Sequence, residues 1–414
     1  MRQIEIIPSK SDAHRAMICQ ALSRLTSGRS CEIHCEGTSR DIEATQKCLA
    51  ALLSGEEAMY CGESGSTLRF LLPVMGALGH RASFYGEGRL PQRPLSPLYE
   101  QLESHGCVLT PKGSVPLTIS GQLKPGNFTL PGDVSSQYIS GLLFALPLLK
   151  GGSRIVITGS LQSQGYVDMT LRTMKAFGVE ILPEENGYTV PGGQPYQAPD
   201  RYLVEGDWSN GCFWLAAGAF TEGGICVRGL DTASLQRDKE ILFLLKNFGA
   251  NVKIEEKGVC VSPGKLKGIE IDASQIPDMV PILAVIACGA EGNTVIRNAG
   301  RLRAKESDRL TSVAQVLSGL GASIEELEDG LVISGRTACG CGRKEADRNP
   351  QSFPLKGGRA DSWNDHRIAM MAAIASLLCR EKVVLTGSDA VQKSYPGFFE
   401  DLKKLGLEHN LERN

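Results

Sequence analysis

A chain of 414 residues has room for two or three domains, and 42% apolar side chains suffice for large cores. A formal net charge of −2 gives no global pull toward nucleic acid or a membrane surface, and no apolar run reaches the roughly 18 residues of a spanning helix. The 13 cysteines are scattered, mostly in apolar contexts such as Cys19, Cys48, Cys288 and Cys379, and read as reduced core thiols; Cys339-Gly340-Cys341 has no further Cys or His nearby, and the six histidines lack ligand spacing, so no metal site is expected.

Met1–Ile7 alternates like a strand and lacks the regions of a signal peptide, which points to the cytoplasm. Next comes Ile7-Pro8-Ser9-Lys10-Ser11-Asp12-Ala13-His14-Arg15, a polar cluster running into the apolar segment Ala16–Leu22. Ser9 or Ser11 is a good N-cap. A helix starting here presents free N–H groups and the positive end of its dipole, with Lys10 adding a full charge. The same arrangement recurs five times: Glu63–Thr67 before Leu68–Leu78, Asp133–Gln137 before Tyr138–Leu149, Asp207–Asn210 before Gly211–Phe220, Pro277-Asp278 before Met279–Ala290, and Trp363–Arg367 before Ile368–Leu378. Helices this apolar are buried, and six polar starts of one kind suggest starts gathered in one place.

A second repeat lies behind the first. Apolar-x-x-apolar-Gly endings occur at Gly106, Gly178, Gly249 and Gly321, spaced 72, 71 and 72 residues apart, with a fifth at Gly406. Glycine there is the expected left-handed helix terminus. Between the helices of each unit lie β-rich runs: Cys31–Cys35, Ala82–Tyr85, Arg154–Thr158, Ile225–Arg228, Thr294–Arg297 and Lys382–Thr386. Each unit of about 70 residues reads strand, buried helix, strand, amphipathic helix, strand, strand, an α/β class. Six units split three and three into two lobes, with a hinge near Leu203–Asp207 after the Pro/Gly-rich stretch 191–199. Thr337–Gly358 is polar and reads as an exposed insertion.

Basic residues cluster at equivalent places in the repeats: Arg15, Arg89 and Arg93, then Arg301 through Arg309, Arg367, and Lys393. Arginine suits bidentate clamping of carboxylate or phosphate, and lysine a mobile charge or proton donor. Together they describe a cleft for a substrate with several negative charges. Ser135, Ser136, Gln137 and Ser163 add neutral donors, and Gly65-Ser66 lets a small anion approach the backbone. Asp278 and Glu306 are the acid/base candidates. Asp278 also reads as an ordinary N-cap, and Lys305 and Arg309 favour the ionised form of Glu306; the chemistry alone leaves the choice open.

These motifs resemble the 5-enolpyruvylshikimate-3-phosphate synthase family, the 3-phosphoshikimate 1-carboxyvinyltransferases, over essentially the whole chain. The most specific pieces are Ser9-Lys10-Ser11-x-x-x-Arg15, Arg89-x-x-x-Arg93-Pro94, Ser135-Ser136-Gln137, Lys305–Arg309 and Asn364–Arg367. The resemblance implies two inside-out α/β domains, each of three βαβαββ repeats, with the active site in the inter-domain cleft. The expected lobes are 10–204 and 1–9 with 205–414, with hinges near 7–9 and 204–207. It implies transfer of the carboxyvinyl group of phosphoenolpyruvate to the 5-hydroxyl of shikimate 3-phosphate, with release of phosphate, by a cytoplasmic monomer that needs no cofactor.

Matched positions assign Lys10, Ser11, Arg15, Ser135, Ser136, Gln137, Ser163, Asp278 and Lys305 to shikimate 3-phosphate. They assign Lys10, Gly65, Arg93, Gln137, Arg309, Arg367 and Lys393 to phosphoenolpyruvate. Asp278 matches the base and Glu306 the group that protonates the methylene, with Lys10 and Lys393 beside them. Three departures stand out. The family commonly begins with another strand, so the partner strand of the first repeat is expected to be missing or truncated. Glu63 replaces a usual asparagine, and Arg301 stands where some members have asparagine. A UDP-N-acetylglucosamine 1-carboxyvinyltransferase, sharing fold and donor, and a non-catalytic two-lobed anion binder are the alternatives. Ser135-Ser136-Gln137 and Lys10-Ser11 speak against the first, and Asp278, Glu306 and Lys393 against the second.

Overall fold

A computed structural model describes residues 1–111, 113–256, 258–335 and 354–414. The insertion expected at 337–358 lies outside these up to residue 353, as do Cys339 and Cys341. The chain forms two compact units, one of Pro8–Glu205 and one of Met1–Ile7 with Gly206–Asn414.

Before the first unit comes β1 (Arg2–Glu5). The first unit then runs α1 (Lys10–Ser27), β2 (Glu32–His34), α2 (Arg40–Ser54), β3 (Ala58–Tyr60), α3 (Gly65–Leu78), β4 (Ala82–Tyr85), α4 (Leu98–Ser104), β5 (Cys107–Thr110) and β6 (Leu117–Gly121). It continues with β7 (Asn127–Pro131), α5 (Ser136–Ala145), β8 (Ser153–Thr158), α6 (Gln164–Ala176), β9 (Leu182–Glu184), β10 (Gly187–Val190) and β11 (Arg201–Leu203). The other unit has α7 (Trp208–Gly218), β12 (Ile225–Arg228), α8 (Ile241–Phe248), β13 (Asn251–Glu255), β14 (Gly258–Ser262), β15 (Glu270–Asp272), α9 (Val280–Gly289) and β16 (Asn293–Arg297). It ends with α10 (Arg309–Gly319), β17 (Ser323–Leu327), β18 (Gly330–Ser334), β19 (Gly358–Asp361), α11 (His366–Ala375), β20 (Val383–Thr386), α12 (Phe398–Lys404) and β21 (Leu411–Arg413).

The repeat is visible in the sheets. Strands β3-β4-β6-β5, β7-β8-β10-β9 and β15-β16-β18-β17 form three sheets of one order. In each, two parallel strands flank a buried helix and an antiparallel hairpin follows. The parallel connection through a helix is the βαβ unit. A fourth sheet, β1-β12-β14-β13, has the same order, but its first strand comes from the chain start, with Ile4 opposite Val227. The first repeat is completed by β11, parallel to β2 with Tyr202 opposite Ile33. A partner strand is therefore present rather than missing, three residues long and supplied from the far end of the unit. The last repeat has three parallel strands, β19-β20-β21.

Buried helices fill the interior as their sequences require. Every residue of α7, α9 and α11 is buried, and α9 contains only apolar residues, glycine and proline. Helices α1, α3 and α5 are mostly buried in the first unit, and the Phe70 and Phe144 rings meet edge-on at 5.5 Å between α3 and α5. Each such large side chain contributes about 1.5–3 kcal/mol by leaving water. At the outer helix ends Gly106, Gly178, Gly249, Gly321 and Gly406 all have φ between 66° and 104°, the left-handed conformation their spacing predicts.

Two hydrogen bonds mark where the chain passes from one unit to the other. Within the first unit Ser9 N donates to Glu205 O (2.7 Å), and within the second Asp207 N donates to Ile7 O (2.9 Å). A buried carboxylate secures the first: Asp12 accepts from Tyr202 OH (2.8 Å) and Glu205 N (3.2 Å), and Arg172 bridges to Glu205 at 2.8 Å.

One sequence reading is overturned. Cys226 and Cys260 form a disulfide, because the β12–β14 register sets them directly opposite with Cα atoms 3.9 Å apart. The other described cysteines are free thiols, and burial raises the pKa of Cys19 and Cys212. Among the described residues no helix is long and apolar enough to cross a membrane.

Candidate active site

In the Pro8–Glu205 unit the starts of three buried helices carry the expected side chains. Ser9, not Ser11, caps α1, its side chain accepting from Asp12 N; Ser64 caps α3 and Ser135 caps α5. Lys10 Nζ sits 2.8 Å from Asp41 at the start of α2. Arg15 is buried, and each of its three nitrogens donates: Nε to Thr170 Oγ1 (2.8 Å), Nη1 to Ser11 O (2.5 Å) and Nη2 to Tyr166 O (2.8 Å). Its guanidinium lies over the Phe70 and Tyr166 rings at 5.3 and 5.9 Å, and burial lowers its pKa to about 10.

Gly65 is the first residue of α3. A Cβ there would stand 2.7 Å from Nη1 of both Arg69 and Arg93, so with any larger residue the two guanidiniums would have to draw back from this helix start. Arg69 donates to Gln137 Oε1 (2.8 Å) and Pro94 O (3.1 Å), and Gln137 Nε2 donates to Ser66 Oγ (2.9 Å), which joins the starts of α3 and α5. Ser136 is buried in the first turn of α5. Ser163, also buried, takes φ 52° immediately before α6, an uncommon conformation for serine of the kind often held at functional sites.

The second unit gathers the acid/base candidates. Asp207 and Asp365 cap α7 and α11 through their side chains. Asp278 does not cap: it lies in the 3-10 turn Pro277–Met279, and its carboxylate faces cations instead. Arg309 Nη1 is 2.7 Å from Asp278 Oδ1, Arg367 Nη2 is 3.4 Å from Oδ2, and Lys305 Nζ is 3.7 Å from Oδ1. Arg309 also donates from Nη2 to Glu306 (2.6 Å) and from Nε to Asp365 (2.7 Å), and these carboxylates hold its pKa up against burial. Arg367 reaches Asp278 O (3.1 Å) and Ser209 Oγ (2.8 Å), joining the starts of α7, α9 and α11. Lys305 has its pKa lowered to about 8, chiefly by desolvation, with Asp278 opposing. Lys393 is buried, and its Nζ donates to Asn364 O at 2.5 Å. That carbonyl is aimed by two successive residues at positive φ, Trp363 (53°) and Asn364 (52°).

The sequence reading missed several members. Arg69 carried a signal, a charge inside the apolar run of α3. Asp238 carried none, since Arg237–Glu240 reads as a solvated charge run. In the fold it is buried, accepts from Ser209 Oγ at 3.3 Å, and is pushed up to about 7 by burial and then by Asp278. Tyr166 likewise enters only through the fold. Arg301, left unassigned, donates to Ser274 O at 2.9 Å. Among the described residues one group of side chains could hold an ion, Cys226, Glu255 and Cys260, and two of its three ligands are bonded to each other as cystine.

Small repeated α/β sheets around buried helices, with cations at the helix starts, define the enolpyruvyl transferase fold. The enolpyruvyl transferase NikO from Streptomyces tendae shares it with a TM-score of 0.70 at 17% identity, over 98% of this chain and 95% of that one. The EPSP synthase from Acinetobacter baumannii has a TM-score of 0.75 at 25% identity, with the same coverage. The family model for EPSP synthase (3-phosphoshikimate 1-carboxyvinyltransferase) matches residues 53–402, and the chain belongs to that family. Relatives named 3-phosphoshikimate 1-carboxyvinyltransferase include that of Clostridium kluyveri, 43% identical over 98% of this chain and 95% of its own. That of Clostridium acetobutylicum is 44% identical over 97% and 94%.

Proposed function

We propose that this chain transfers the carboxyvinyl group of phosphoenolpyruvate to the 5-hydroxyl of shikimate 3-phosphate and releases phosphate, the step that serves aromatic amino acid biosynthesis. One observation supports pairing Asp278 and Glu306 as the two acid/base groups. A single guanidinium, Arg309, hydrogen-bonds both acid/base candidates, Asp278 at Nη1 (2.7 Å) and Glu306 at Nη2 (2.6 Å). The base and the acid of an addition to a double bond are thereby held side by side.

Asp278 takes the hydroxyl proton as the oxygen bonds to the carbon bearing phosphate, and Glu306, which must enter the complex protonated, delivers its proton to the methylene. Glu306 then takes a methyl proton back as the bond from carbon to the phosphate oxygen breaks, and phosphate leaves with the proton held by Asp278, which restores the double bond. Lys10, Ser11, Arg15, Ser135, Ser136, Gln137, Ser163, Asp278 and Lys305 hold shikimate 3-phosphate in this reading. Lys10, Gly65, Arg93, Gln137, Arg309, Arg367 and Lys393 hold phosphoenolpyruvate, and the cations stabilise the departing phosphate. The buried, multiply bonded Arg15 and the close approach of two guanidiniums to Gly65 support these placements. Because the groups come from both units, the reading has each substrate engaged by residues 8–205 and 206–414 together, with hinges near 7–9 and 204–207. It takes the working protein as a cytoplasmic monomer, which light scattering of the purified chain tests.

Phosphate release with each acceptor tests the activity: shikimate 3-phosphate should support it and unphosphorylated shikimate poorly, because phosphate-binding donors would be left unpaired. Asp278→Ala should lower kcat by about two to four orders of magnitude with a smaller change in shikimate 3-phosphate binding. Near-normal turnover in that variant would remove Asp278 from the chemistry.

A further inference from the structure

Helix α1 carries a buried histidine that the reaction scheme does not use. His14 follows Lys10 by one turn and is 1% exposed. Its Nδ1 lies 2.7 Å from Thr45 Oγ1 on α2, which lies 2.6 Å from Thr67 Oγ1 on α3; Thr67 in turn donates to Ser64 Oγ, the cap of α3, at 2.7 Å. All four side chains are buried. Each hydroxyl has one hydrogen, so the proton order follows: Thr67 donates to Ser64, Thr45 to Thr67, and the Nδ1–H of His14 to Thr45. Burial, with Lys10 and Arg15 nearby, lowers the His14 pKa to about 3, so the ring stays neutral and the chain keeps this direction. The relay runs unbroken from His14 Nδ1 to Ser64, although His14 Nε2 is buried without a hydrogen-bond partner, and it fixes geometry because breaking any member leaves the next unpaired.

We propose that His14 is a positioning residue for phosphoenolpyruvate, acting through Thr45 and Thr67 to orient the Ser64 cap and with it the N–H groups of Gly65 and Ser66 at the start of α3. This rests on the placing of phosphoenolpyruvate at Gly65. The relay ties the second turns of α1 and α2 to the first turn of α3, which carries Gly65, so it sets the cap by contacts outside the anion site itself.

Steady-state kinetics of the whole enzyme with varied phosphoenolpyruvate test it. His14→Ala, and Thr67→Val, which keeps the shape but removes the hydroxyl, should raise KM for phosphoenolpyruvate roughly five- to tenfold, the effect of one lost buried hydrogen bond. The kcat and the KM for shikimate 3-phosphate should stay within about twofold. His14→Asn, whose side-chain amide can donate from the Nδ1 position, should restore the wild-type KM. A purely structural role would lower kcat with the active fraction and leave KM alone. Gly65→Ala separates the two readings. If it raises KM for phosphoenolpyruvate while His14→Ala and Thr67→Val do not, or if His14→Asn is as impaired as His14→Ala, the positioning role is refuted and the site stands. If Gly65→Ala is itself silent, the placing of phosphoenolpyruvate is wrong and the proposal falls with it.

Discussion

Replacing Arg309 by lysine keeps the charge and removes the fork, which isolates what the fork does. The guanidinium is 1% exposed and donates four hydrogen bonds to three carboxylates: Asp278 at 2.7 Å, Glu306 at 2.6 Å, and Asp365 at 2.7 and 3.3 Å. An ammonium has three hydrogens on one nitrogen and cannot span three carboxylates arranged around a planar group. It keeps the bond to one of them and forfeits at least two. At about 1.5–3 kcal/mol per charge-assisted bond, partly offset by the remaining attraction, the loss is about 3 kcal/mol. Asp365 is fully buried beside the vacated position, so solvent does not replace the missing donor. The unit containing Arg309 has roughly 200 residues, for which 1 kcal/mol moves the midpoint by about 2–4 °C, so Arg309→Lys should lower it by about 6–12 °C. Differential scanning calorimetry reads this directly, and if the two units melt separately only one transition should move. The kcat/KM for phosphoenolpyruvate should fall as well, since Asp278 and Glu306 lose their common anchor. A midpoint within about 2 °C of wild type would show that the three carboxylates do not depend on the fork.

Lys305, lowered to about 8 by desolvation, should regain its proton when a phosphate dianion binds. Titration calorimetry near this pH in buffers of different ionisation enthalpy should show proton uptake with shikimate 3-phosphate, and buffer-independent heats would contradict it. Asp238 has its pKa raised from 3.8 to about 7, so between those values the folded chain keeps a proton the unfolded chain has lost. Its contribution to stability is full below 3.8 and declines as pH rises toward 7. Asp238→Asn should therefore gain stability relative to wild type across that window, and a difference constant with pH would refute the shift.

Much of this architecture is legible in the sequence because local chemistry writes it. Ser9, Ser64, Ser135, Asp207 and Asp365 cap helices where polar clusters meet apolar runs, and the glycines spaced about 72 residues apart end helices in the left-handed conformation. What is not legible is set by contacts distant in sequence. Whether Asp278 is a cap or a reactive carboxylate depends on Arg309 and Arg367, which only folding brings beside it. Asp238 looks like a surface charge until α7 covers it and Ser209 meets it. Cys226 and Cys260 look like ordinary core thiols until a strand register places them opposite one another. The exchanged strands β1 and β11 are the same kind of information: each is an ordinary short β pattern, and nothing local says which repeat it completes.

That exchange has a consequence for how the chain is made. The segment Pro8–Glu205 is closed on itself by the Ser9–Glu205 bond, so it is complete once β11 has left the ribosome. Strand β1 is in the opposite position. It leaves the ribosome about 220 residues ahead of its partner β12, which begins at Ile225. At roughly 5–20 residues per second, β1 waits some ten to forty-five seconds with an unpaired edge, while Ile4 and Ile6, buried in the finished protein, face water. By the end of that interval the nascent chain carries a short exposed strand ahead of one complete unit, and the strand can pair once β12 emerges, before β13–β21 are made.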